Sequence, residues 1–239
     1  MTLEEIATFI VADGKGILAA DESNPTCGKR FDSIGVESTE ENRRDYREML
    51  FRSKGMKGNI GGVILFDETI RQSAADGTLL REIILKQGAL PGIKVDKGLQ
   101  PIENFPGETV TVGLDGLDER LKEYAEMGAK FTKWRAVINI GDGIPSDECI
   151  HANMDALAQY AKCAQENGMV PIVEPEVLMD GEHSIDACYD ASERSLKSLF
   201  EHLEKYQVNI KGTILKPNMV TSGSNHNIQA SINEVATRT

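Results

Sequence analysis

Lys216 ends the short apolar run Gly212-Thr213-Ile214-Leu215 and is followed by Pro217, so a strand there would carry an amine to the end of a sheet. Burial and a neighbouring cation both favour the neutral amine, the form that attacks a ketone. Lys133, two residues before Arg135, is a candidate for that cation. Dehydration to a Schiff base then needs a carboxyl to move protons, and Glu174 and Glu176 are both positioned for it on the preceding apolar run. The resulting iminium is an electron sink, so the carbon–carbon bond beta to it can break without a metal. Asp21, Lys94 and Asp96 stand at the ends of two further runs. Residues two apart on a strand point the same way. Four cations and four carboxylates would therefore share one face at one end of a sheet, which requires that they pair or bind a ligand. For any single strand, the plainer reading is a solvated rim or ion pairs that serve only the fold. Five strands agreeing on one end and one face favour a site.

The elements that must carry these residues alternate along the chain. Short apolar runs at Gly16–Ala20, Ile60–Phe66, Gly92–Val95, Phe131–Ile140, Met169–Val177 and Gly212–Val220 read as strands. Between them lie helical patterns. One opens at a capping box in Ser38-Thr39-Glu40-Glu41 and carries Tyr46, Met49 and Leu50. Others span Leu117–Met127, Ser146–Asn167 (closed by Gly168), and Ser184–Gln207 as one or two helices, with Leu196, Leu199, Phe200 and Leu203 on one side. Such alternation implies parallel strands joined by crossover helices. No GxGxxG follows the first strand, so a dinucleotide fold has little support. The expected architecture is α/β, a (β/α)8 TIM-barrel type left incomplete, with about six of eight strand-helix units in a single domain over 1–239. Ile228–Thr239 reads as a helix with no signal that ends it.

The chain carries 26 basic and 38 acidic residues, a net charge of −12. That balance argues against nucleic acid and against an anionic membrane surface as partners. The N-terminus lacks the layout of a secretory signal, and no apolar run approaches the roughly 20 residues of a membrane span. The four cysteines are widely spaced, as expected of reduced thiols in a cytoplasmic protein. The four histidines are equally scattered, without HxxxH or a Cys/His cluster. No metal ligand is assigned, and a zinc site would have to be assembled by the fold alone.

Seven segments carry a resemblance: GKGILAADES (14–23), EENRRDYR (40–47), IGGVILFDET (60–69), GIKVDKG (92–98), KWRAV (133–137), VPIVEPE (170–176) and GTILKPNMV (212–220). Together, and in this order, they are similar to class I fructose-bisphosphate aldolases over essentially the whole chain. The resemblance implies a metal-independent lyase needing no cofactor. Its sugar-phosphate substrate would be fructose 1,6-bisphosphate, cleaved to dihydroxyacetone phosphate and glyceraldehyde 3-phosphate. It implies a homo-oligomer too, a tetramer in the complete family fold. Lys216 then matches the Schiff-base lysine and Glu174 the main proton-transfer residue, supported by Glu176. Lys133 matches the lysine beside the Schiff base, and Asp21 the acid acting on the hydroxyl where the bond cleaves. Lys94, Arg135 and Ser23 match residues contacting substrate or its phosphates. Thr26 stands where the family has serine, keeping the hydroxyl. The family's seventh strand with its phosphate loop, its eighth with a phosphate-binding arginine, and its C-terminal tail have no counterpart here. The expectation is open sheet edges, poor independent stability and little turnover. Two alternatives stand beside the enzyme: a fragment acting only with a complementary chain, and a Schiff-base barrel enzyme for another keto-sugar phosphate.

Overall fold

The computed structural model describes residues 1–239. Six parallel strands, β1 (Gly16–Ala20), β2 (Ile60–Leu65), β3 (Leu90–Lys94), β6 (Phe131–Ile138), β7 (Val170–Val177) and β8 (Ile214–Leu215), form one sheet in that order. It curls into the greater part of a TIM-type barrel wall. Each strand follows its sequence neighbour in the sheet except across the hairpin of β4 (Leu99–Pro101) and β5 (Thr109–Thr111), which inserts between β3 and β6. Helices α1 (Leu3–Ile10), α2 (Asn24–Asp32), α3 (Glu40–Phe51), α4 (Asp67–Arg71), α5 (Leu80–Lys86), α6 (Leu117–Glu126), α7 (Asp147–Glu166), α8 (Ile185–Lys205) and α9 (Ile232–Arg238) complete the chain.

Strand parity divides the core in two. On β6, Phe131 faces inward, while Trp134, Ala136 and Ile138 join Val63, Leu65, Ile93 and Val173 in the large cluster under the outer helices. The inner cluster is small: Ile64, Phe131, Val170 and Ile172 packed against Ile6, Ala7 and Ile10 of α1. Helix α1 thus plugs the end of the barrel where the strands begin. Thr2 and Glu5 hold its first turn by a reciprocal capping box. Two glycines make room for the plug's neighbour. A Cβ at Gly92 would lie 2.3 Å from the Phe131 ring, and one at Gly62 would lie 2.9 Å from it. With its floor filled by apolar side chains, the inner space opens at the strands' C-terminal ends and along the gap between β1 and β8.

Several expected bounds shift. The last strand is two residues long rather than Gly212–Val220, because Ile210–Gly212 winds into a 3-10 turn and Pro217 cannot donate to a ladder. Helix α3 is capped by Thr39 alone, which accepts from the Asn42 amide; no acidic side chain stands at the third position to reciprocate. Its buried face is Arg43, Arg47 and Phe51, while Met49 is exposed. The stretch expected as one or two helices forms the single helix α8 behind its Ser184 cap, and its buried stripe runs through Cys188, Ser195, Leu199 and Leu203, leaving Phe200 exposed. Ile228 lies outside α9, which begins at Ile232 after the Ser231 cap. β1 and β8 each have a single strand neighbour. All four cysteines are free thiols, and no helix is long and apolar enough to cross a membrane.

Candidate active site

Above the Phe131 floor the inward positions change from apolar to charged. The register pairs Lys94 with Lys133 across β3 and β6, and Arg135 with Glu174 across β6 and β7. Asp21 follows β1 directly, and Lys216 follows β8, its amide donating to the Val173 carbonyl at 3.0 Å. All eight charges singled out by spacing are paired. Lys133 Nζ donates to Asp21 Oδ2 at 3.0 Å and lies 3.2 Å from Glu174 Oε2. The other oxygen of Glu174, Oε1, accepts from Lys216 Nζ. Arg135 donates to Glu176, and Lys94 lies 3.4 Å from Asp96. The cluster is thus a chain of four, Asp21–Lys133–Glu174–Lys216, flanked by two separate pairs.

Burial is steep along that chain. Glu174 is 2% exposed, whereas Asp21 and Lys133 are each 8% exposed. Burial opposes the charge on Lys133, but Asp21 and Glu174 outweigh it and hold its ammonium above the ordinary lysine value. Burial pushes the Asp96 carboxyl up against the pull of Lys94. The expectation of a buried Lys216 is not met, because its side chain is 50% exposed. β8 has no strand on its far side, so nothing there covers the amine. Nor is Lys133 free to repel it, being tied to two carboxylates. Between Glu174 and Glu176, which spacing alone left open, only Glu174 touches Lys216.

A cleft of about 320 Å³ opens over this floor, lined by Asp21, Ser23, Thr26, Lys94, Lys133, Arg135, Glu174 and Glu176. Eight of the nine residues picked from sequence therefore surround one space, and the ninth, Lys216, reaches it through Glu174. Ser23 is the N-cap of α2, and its Oγ lies 3.0 Å from Thr26 Oγ1. Glu22 and Arg30, paired with each other, complete the wall and were not anticipated. Arg30 lies four residues beyond Thr26 on α2, a helical spacing that would have identified it had α2 been read as a helix. The arrangement provides a nucleophilic amine, a buried carboxylate touching it, a second ammonium on that carboxylate, and hydroxyl and cationic groups suited to an anionic ligand.

A family model described as "Fructose-bisphosphate aldolase class-I" matches residues 2–239. The chain belongs to the class I fructose-bisphosphate aldolases. Within that family it is 55% identical over 237 residues to a probable fructose-bisphosphate aldolase class 1 of Xanthomonas campestris, covering 99% of this chain and 71% of the relative. It is 53% identical over 218 residues to the cytosolic fructose-bisphosphate aldolase 4 of Arabidopsis thaliana, covering 91% and 56%. The solved aldolase of Plasmodium falciparum, in complex with TRAP and a small-molecule inhibitor, superposes with a TM-score of 0.97 at 46% identity. The match covers 99% of this chain and 69% of that one. The aldolase barrel wall is thus present here as a six-strand curl.

Proposed function

We propose that this chain carries the Schiff-base chemistry of a fructose-bisphosphate aldolase, with Lys216 as nucleophile and fructose 1,6-bisphosphate as substrate. The observation that carries the reading is the single carboxylate of Glu174, one oxygen on Lys216 and the other beside Lys133. Lys216 passes a proton to Glu174 along their hydrogen bond and then adds through its neutral nitrogen to the ketone carbon. Glu174 then supplies a proton to the departing hydroxyl, so that water leaves and the iminium forms. Asp21 takes the proton from the hydroxyl on the carbon beyond the breaking bond. The bond's electrons enter the iminium to give an enamine, and glyceraldehyde 3-phosphate is released. Protonation of the enamine and hydrolysis of the imine return dihydroxyacetone phosphate and the free amine. Lys133, donating to Asp21 and lying 3.2 Å from Glu174 Oε2, keeps both carboxyl groups in place through these transfers. Lys94, Arg135, Ser23 and Thr26 take the substrate's hydroxyls and phosphate, with Glu176 orienting Arg135.

In this reading the chain is one domain, works in the cytoplasm and self-associates as a homo-oligomer. The test is incubation with dihydroxyacetone phosphate, borohydride reduction and peptide mapping by mass spectrometry. An adduct confined to Lys216, lost in Lys216→Met, supports the reading. An adduct on another lysine overturns the site.

The open edges of β1 and β8 favour a second reading, in which the chain acts only with a complementary polypeptide that covers them. Folded protein that yields no adduct alone but gains one when such a polypeptide is added supports that reading. Aldol cleavage by the isolated chain removes it.

A further inference from the structure

We propose that helices α7 and α8 carry a divalent transition-metal site, suited to zinc, formed by His151, Asp155 and His202. The three ligand atoms lie within 4.8 Å of one another, and none of the three residues lines the charged cleft. Their origin explains why spacing in the sequence concealed them. His151 and Asp155 are four apart on α7 and share a face, while His202 comes from the neighbouring α8. The two rings meet edge to face with centroids 4.6 Å apart.

The orientation of His202 is the decisive detail. Its Nδ1 lies 2.7 Å from the Ser198 carbonyl oxygen, which only accepts, so Nδ1 carries the proton. In the neutral ring, the form that ligates a metal, the lone pair is then on Nε2, which faces Asp155 Oδ1 at 3.7 Å, too far for a hydrogen bond. A backbone carbonyl fixing the tautomer of a ligating imidazole is the usual outer support of a zinc histidine. Zinc ligands about 2.0–2.1 Å from the ion lie somewhat over 3 Å apart in a tetrahedron, so the exposed His151 needs only a small movement to close the set. Two imidazoles and one carboxylate leave a fourth position for water.

One group competes. Lys205 donates to Asp155 Oδ1 at 3.0 Å, but its side chain is 58% exposed and can swing into solvent. Tyr206 and Gln159 also donate to Asp155 and fix the carboxylate's orientation.

The test is calorimetric titration of zinc into the chelator-stripped chain, together with the visible spectrum of the cobalt form. The expected result is one zinc per chain, weakened at least about tenfold by the surface substitution His151→Ala. Lys205→Met, which removes the competing cation, should tighten binding. Cobalt should give a spectrum of nitrogen and oxygen ligation, lost in His151→Ala. Binding unchanged in His151→Ala, or a thiolate charge-transfer band in the cobalt spectrum, overturns the site.

Discussion

At the scale of single residues, Lys133 and Glu174 determine how the charged chain behaves. The Lys133 ammonium is held above its ordinary value of 10.5 because Asp21 and Glu174 outweigh its burial. A group raised on folding stabilises the fold fully below its unfolded value and loses that contribution as pH rises through the folded one. Unfolding midpoints should therefore fall as pH climbs past the ordinary lysine value. Lys133→Met should lessen that slope, leaving the part due to other raised groups such as Tyr124 and Cys149, while lowering stability at neutral pH by up to about 3–5 kcal/mol, since two carboxylates lose their shared cation. Denaturant titrations at a series of pH values check both. Glu174→Gln keeps the volume and much of the hydrogen-bonding shape but removes the group that carries the proton to the departing hydroxyl. Imine formation at Lys216 should slow by about 100- to 10,000-fold, measured as the rate of the borohydride-trapped adduct, with little change in the fold.

At the scale of elements, the close contact between glycine and aromatic ring beneath the site is the sharpest constraint. A methyl group at Gly92 would meet the Phe131 ring at 2.3 Å. Gly92→Ala should therefore cost about 1–3 kcal/mol by overpacking, and Phe131→Leu in the same chain should restore part of it; urea unfolding of the two single and the double variants measures the coupling. Much of this layer was readable from sequence. β1 was expected at Gly16–Ala20 and lies there, and the two-residue spacing of Lys133/Arg135 and of Glu174/Glu176 does set each pair on the inner face. The β4–β5 hairpin was not readable: three-residue strands, one ending in Pro101, carry no period. Helix α1 was missed although Thr2 and Glu5 spell its capping box, because its role as a plug depends on strands distant in sequence. The exposure of Lys216 was not read from its own strand, although open sheet edges were expected. It follows from what stands beside β8, which no pattern within the strand encodes.

At the scale of the whole molecule, the sheet has two free edges, and at the β8 edge Leu215 is 37% exposed. Unpaired backbone at an edge recruits other strands. The isolated chain should therefore self-associate as its concentration rises, and sedimentation velocity over a dilution series checks this; a single monomeric species throughout would count against it. The bond between Lys133 and Asp21 joins positions 112 residues apart, and Lys216 completes the cluster only after all the other members have been made. Loops of that length are slow to close, because their entropy is lost before any contact repays it. During synthesis Asp21 emerges long before either lysine that its cluster needs, and Glu174 is made before Lys216. The charged cluster therefore closes only once position 216 has been made, and a ribosome-bound chain halted before it would hold the first five strands of the curl with Glu174 still lacking its second amine.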